Sequence, residues 1–293
     1  MTAATATAAV SVAPPGRTGF AAFVRRHPTV AIGGALLLAI VLASIAAPWL
    51  GTVDPIMIKP SHRLRSPSAD NWFGTDRFGR DLYSRVIYGG RVSLVVGLSV
   101  AALSTLIGLA IGLVSGYLRA VDAVVMRVMD GMMAIPAIML AIPLIALSKA
   151  SIVIVIVAVT LPEVPRVVRL VRSIVLTIRE QPYIEAATAI GTSVPRIILR
   201  HLLPNALPPL IVQATYICAS AVLIEAALSF LGAGTPPEVP SWGNIMAEAR
   251  PYFQLKPWMV LLPGAFLGVT VLAINLVGDG LRDLLDPRLA RRM

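Results

Sequence analysis

Val30 to Leu50 is a run of 21 residues without a charged side chain, and it limits what the chain can fold into more than any other feature. A helix needs about 20 mainly apolar residues to cross the hydrocarbon core of a bilayer. Arg25 and Arg26 precede this run and Gly51 stops it. Similar runs follow at Val92 to Gly116, Val124 to Leu147, Ser151 to Val171, Ala206 to Leu231 and Trp258 to Val277, which predicts six spans. The fourth is the least regular, because Pro162, Glu163, Pro165 and Arg166 interrupt its second half. Its end reads as an emerging helix with Arg166, Arg169 and Arg172 three residues apart on one side. A secretory signal is the competing reading of the first run, with Ser44-Ile45-Ala46 as a faint cleavage site. The run is longer than the roughly 7–15 residues of a signal core, so a retained span is expected.

Composition agrees with a bilayer as the solvent. Of the 293 residues, 57% are hydrophobic and 14% charged, against about 45–50% and about 25% in a soluble domain. That excludes an ordinary soluble globule, a disordered chain, a collagen, a coiled coil and a disulfide scaffold. The net charge of +10 does not point to nucleic acid, since the basic residues sit in short segments between apolar runs and suit contact with lipid. Six spans put both termini on one side. The N-terminus, the Tyr117 to Arg127 turn, the Arg172 to Asn205 loop and the C-terminal tail, with Arg166 and Arg169, hold 15 of the 25 basic residues, so that side is expected to be cytoplasmic. The 51–91 loop, with seven basic residues and four Asp, departs from this bias on the outer face. Cys218 lies inside an apolar run, where plain helix packing is expected.

Ser104, Gly108, Gly112 and Gly116 recur every four residues, which puts four small side chains on one face of the second span and makes a helix interface. Pro136 and Pro143 should kink the third span, as a gating element or as irregular packing. Glu225 is an acid well inside an apolar run; it is expected either to line a transport path or to hydrogen-bond a neighbouring helix or a partner subunit, and Asn275 is a second candidate of that kind. The Asp76/Arg77 and Arg80/Asp81 cluster reads as an ion-pair network fixing an outer loop rather than as a substrate contact, and it lacks calcium-loop spacing. Trp242 and Trp258 suit interfacial anchoring, with a docking contact as the alternative for Trp242.

The segment before the fifth span carries the most mechanism. Pro182 suits a first helical turn, Gly191 breaks that helix, Ser193 suits the cap of a second with Pro195 in its opening turn, and Pro204 is expected to end it. Both helices are rich in Ala, Ile and Leu, so the hairpin needs a groove to cover it. Glu185-Ala186-Ala187, then Gly191, then Leu203-Pro204 resembles the EAA loop in permease subunits of ABC importers, with His201 where that pattern usually has Ile. Phe73-Gly74-Thr75-Asp76, Gly79-Arg80-Asp81, Ser84-Arg85, Gly90-Arg91 and Ser93-Leu94 resemble the opening stretch of the second permease subunit of dipeptide, oligopeptide and nickel importers. Leu228 to Gly232, Pro240-Ser241-Trp242-Gly243 and Asn275 to Arg288 are similar to later signatures of the same family.

The resemblance implies an all-α integral membrane protein with the six-helix permease fold of type I ABC importers. It divides the chain into a cytoplasmic segment 1–29, a first span 30–50, an outer loop 51–91, a five-helix core 92–280 with a coupling loop 179–205, and a cytoplasmic tail 281–293. It implies a bacterial inner-membrane location, a second homologous permease as heterodimer partner, two cytoplasmic ATPases, an extracytoplasmic solute-binding protein and surrounding lipid. ATP and Mg would be bound by the partner ATPases and no cofactor by this chain, which has no phosphate loop, nucleophile elbow, metal cluster or other catalytic constellation. The implied cargo is a dipeptide or short oligopeptide, with nickel, glutathione, opines or sugars as alternatives. An ion-coupled secondary carrier would need more buried ionisable residues and a repeat, and an intramembrane enzyme a catalytic pair.

Overall fold

The computed structural model describes Val24, residues 27–147 and residues 151–285. Expectations placed on the rest of the N-terminal segment, including Arg25 and Arg26, and on Asp286-Pro287-Arg288 in the tail lie outside the described residues. The helices are α1 (Pro28–Ile45), α2 (Leu82–Tyr117), α3 (Arg119–Met133), α4 (Ala137–Ala146), α5 (Ile152–Arg179), α6 (Pro182–Ala189), α7 (Val194–Ile197), α8 (Leu203–Phe230), α9 (Trp242–Ala249) and α10 (Trp258–Leu285). Among the described residues β pairing is limited to an isolated antiparallel bridge between Thr75 and Asp81.

Four helical stretches are long and apolar enough to cross a membrane: α1, α2, the continuous run from α7 through α8, and α10. The third expected span is not one straight helix. α3 and α4 meet at 83°, and they make a fifth crossing only when counted as a single bent segment. The corner is Ala134-Ile135-Pro136, where Pro136 lacks a donor and disfavours the helical conformation of Ile135 before it. Pro143 sits inside α4 without ending it. The fourth expected span is α5. Any stretch of it long enough to cross contains Glu163, Arg166 and Arg169, so it can lie in a bilayer only with that charge turned away from lipid.

α2 begins ten residues before the expected Val92. The Asp81 carboxylate accepts from the Ser84 backbone N–H at 2.8 Å and from its hydroxyl at 2.6 Å, capping the helix and satisfying one of the free donors of its first turn. The outer loop therefore ends at Asp81, and Ser84 to Arg91 are helical.

With lipid outside, apolar burial between helices drives little, and close van der Waals fit decides the packing. The glycine stripe of α2 supplies it. A Cβ on Gly108, Gly112 or Gly116 would stand 2.4, 2.7 and 2.7 Å from the Cβ of Val167, Val171 and Val175 on α5. Ser104 completes the stripe, fully buried, its hydroxyl turned back to the Val100 carbonyl. Gly97 fits against Val222 and Cys218 of α8 in the same way, and Gly278 of α10 against Thr215. Cys218 is buried in this packing.

Candidate functional site

Residues 182–203 form the expected hairpin. Pro182 opens α6, and Gly191 closes it with φ +80°. Gly191 N–H donates to Thr188 O and Thr192 N–H to Ala187 O, both at 3.0 Å, the paired bonds that satisfy a helix C-terminus through a left-handed residue. Ile184, Ile197 and Leu202 point inward and are buried. Glu185 and Ala186 are exposed, and Ala187 is half-buried. On the outside stand Tyr183, Val194, Ile190 and Leu199, the last two 83% and 63% exposed. His201 lies beside Tyr183, with ring centroids 6.0 Å apart, and its carbonyl accepts from Asn205 Nδ2.

Two details differ from expectation. Ser193 stands at the start of α7, but its side chain makes no capping bond. Pro204 does not end the second helix. α7 passes through a π turn, Ile198–Leu202, straight into α8, and Pro204 falls directly after that turn, inside the continuous helix. The second arm of the hairpin and the span behind it are one continuous rod.

The base of the hairpin is tied to α2. Arg179 Nη1 donates to the carbonyls of Gly116 and Tyr117 at 3.3 Å each, covering acceptors left free at that helix end. Glu185 and Thr188 line an open depression of about 610 Å³ together with Tyr117, Arg119 and Arg179. The depression carries both charges at its edge, and Ile190 and Leu199 stand exposed on the same hairpin.

Glu225 is fully buried. Ser229 Oγ donates to it at 2.8 Å and Ser93 Oγ at 3.2 Å. Next to it, Ser229, Thr235, Ser241 and Asn244 continue a polar network. Of its two expected roles, the geometry corresponds to the hydrogen bond between helices, since Ser93 belongs to α2. Asn275 is half-buried on α10. No hydrogen bond joins the two residues, Glu225 being bonded to Ser93 and Ser229.

Trp242 is neither an interfacial anchor nor a free docking residue. It is 1% exposed, and its indole N–H donates to Val86 O at 2.9 Å. Trp258 is half-buried under Lys256, whose ammonium lies 5.1 Å from the ring centre. The Asp76 cluster is an ion-pair network, with a different membership. Asp76 Oδ2 lies 2.5 Å from both Arg80 Nε and Arg85 Nη1, and Glu248 of α9 bonds the same two guanidinium groups. Arg77 instead stacks over Phe78, and Asp81 caps α2. The pairing of Arg85 with Glu248 escaped sequence reasoning because 163 residues separate them. Glu163 on α5, which the sequence shows only as an interruption of the fourth span, is 1% exposed and accepts from Arg166.

Comparison with known proteins bears on this arrangement. The profile of a family described as binding-protein-dependent transport system inner membrane component matches residues 104–291. A Sinorhizobium fredii protein named as a probable peptide ABC transporter permease is 49% identical over 92% of each chain. A dipeptide transport system permease of Alkalihalophilus pseudofirmus is 41% identical over 90% of this chain and 88% of its own. A chain from a crystal structure of the MetNI methionine ABC transporter in inward-facing conformations shares the fold, with a TM-score of 0.55 and 22% identity over 69% of this chain and 96% of that one.

Proposed function

Because this chain belongs to the family of binding-protein-dependent transport system inner membrane components, the membrane-embedded permeases of ABC importers, we propose that it moves dipeptides or short oligopeptides inward as one half of a heterodimeric pathway. Permeases of this family are not themselves catalytic, and ATP is hydrolysed on separate subunits. The cargo reading rests on the names carried by the relatives.

The observation that carries the mechanism is the 182–203 hairpin. Its outward apolar face and the depression beside Glu185 form the seat for a cytoplasmic ATPase, one on this chain and one on the partner permease. ATP closes the ATPase pair and draws the two hairpins together. Because α7 runs unbroken into α8 and Arg179 fastens the hairpin's base to α2, the motion reaches two spans as a rigid displacement. The spans switch from inward-facing to outward-facing, the extracytoplasmic binding protein releases cargo into the cavity, and hydrolysis resets the complex. Both termini stand on the ATPase side, at the cytoplasmic face of the inner membrane.

The test is ATP hydrolysis and uptake of a labelled dipeptide by the reconstituted complex, comparing wild type with Glu185→Arg and Gly191→Pro. Variants that assemble yet lose coupled hydrolysis and uptake support the hairpin as the coupling element. Uptake that persists without any ATPase subunit overturns the reading and returns an ion-coupled carrier.

A further inference from the structure

α5 leaves one face uncovered. Along its second half Arg166, Arg169, Ser173 and Thr177 are exposed, at steps of three or four residues that keep them on one side of a helix, while the exposed Val153, Val157 and Leu161 of its first half fall on a different side. The uncovered face of the second half is polar. The opposite side is occupied by the valines that meet the glycine stripe of α2.

Arg166 stands near the middle of this helix. Arg179, bonded to the last carbonyls of α2, marks one end. At 1.5 Å per residue, Arg166 is about 20 Å from that level and about 21 Å from Ile152. Its side chain is nevertheless 53% exposed. An arginine at that depth does not face lipid, where it would cost several kcal/mol, so this face is turned to water or protein.

The partners of Arg166 differ from those of its neighbours on the same helix. Arg169 pairs with Asp130 of α3 at 2.5 Å, and Arg172 places Nη2 2.6 Å from Asp122 Oδ2. Arg166 has only long contacts, 3.3 Å from Nη1 to each oxygen of Glu163. Glu163 is sealed behind it, with Ser220 of α8 3.5 Å away. One nitrogen of the guanidinium is thus held by Glu163, and the half-exposed group keeps N–H donors for a further acceptor. Such a group can receive an anion, with Glu163 as the positioning residue.

We propose that this face of α5 lines the aqueous passage, and that Arg166 receives the carboxylate of the passing cargo. Planar bidentate contact with a carboxylate is what arginine does best, and a single site half open to water holds such a group only briefly, as a passage requires. The inference rests on the reading above that the cargo is a short peptide with a free carboxylate.

The experiment uses the reconstituted complex in a Cys218→Ala background. Arg166→Cys and Ser173→Cys should react with a permanently charged, membrane-impermeant methanethiosulfonate, and Val167→Cys, on the buried side, should not. A dipeptide in transport should slow the reaction at position 166 at least fivefold. Uptake of dipeptide per ATP hydrolysed should fall about tenfold in Arg166→Gln and recover to at least a third of wild type in Arg166→Lys. Unreactive cysteines at 166 and 173 overturn the passage, and so does uptake by Arg166→Gln at the wild-type ratio. Should Arg166→Gln fail to assemble, the 173 variant keeps Arg166 and still decides whether the face is wet. If the wild-type complex takes up no dipeptide, the peptide reading fails on its own, while the labelling pattern still judges the passage.

Discussion

Gly108→Ala isolates the contact between α2 and α5 in a single methyl group. The added carbon would stand 2.4 Å from Val167 Cβ and 2.6 Å from its Cγ1, about 1 Å short of ordinary carbon contact near 3.5 Å. Neither obstructing atom is the tip of a flexible side chain, so the helices themselves must part. A gap of that size opened along Gly112 and Gly116 forfeits roughly a quarter to a half of each facing contact. Overpacking of this kind costs about 1–3 kcal/mol, offset by up to ~1 kcal/mol because alanine favours a helix over glycine. Gly131→Ala, with nothing within 4 Å of the new carbon, receives only the favourable part. The detergent-solubilised complex should therefore lose its native oligomer on heating at a lower midpoint for Gly108→Ala and at an unchanged or higher one for Gly131→Ala. Val167→Gly removes both obstructing atoms and leaves the Val164 carbonyl oxygen, at 3.3 Å, as the nearest remaining contact. Although that change is harmful alone, the pair should melt well above the sum of the two single losses, a favourable coupling of about 1 kcal/mol or more. Equal midpoints for Gly108→Ala and Gly131→Ala, or strict additivity with Val167→Gly, would refute the reasoning.

Glu248→Ala leaves the two buried guanidinium groups of Arg80 and Arg85 with Asp76 alone, a loss of about 3–5 kcal/mol. The melting midpoint of the complex should fall far more than for Asp130→Ala, whose pair with Arg169 is exposed and worth ~0–1 kcal/mol. At Gly191, where φ is +80° and nothing crowds the missing side chain, Asn should keep uptake near wild type and Val should reduce it by half or more, since the penalty is one of backbone conformation.

The parts legible in the sequence are those set by short-range chemistry. The four-residue spacing of Ser104 to Gly116 marks a helix face whatever it meets, and Gly191 marks a helix end because a left-handed residue is needed there. The cap of α2 was also written locally, as Asp81 followed three residues later by Ser84, but it lay hidden among charges that look like a loop. Trp242 could not be placed, because a tryptophan near a span suits a membrane interface and a packed core equally well until Val86 is brought to it. Pro204 misled for a similar reason: a proline after a short helix reads as a stop, whereas here the helix runs through the π turn and on past the same residue. The partnership of Asp76, Arg80 and Arg85 with Glu248 depends on the whole chain having folded.

The unbroken axis from Val194 to Phe230 also sets a mechanical ratio. The short arm, Val194 to Leu202, is about 13 Å long and the long arm, Leu203 to Phe230, about 42 Å. For a pivot at their junction, a tilt that shifts the tip of the short arm by 1 Å swings the far end by about 3 Å in the opposite sense. A small inward pull at one face of the bilayer then becomes a wider splaying at the other.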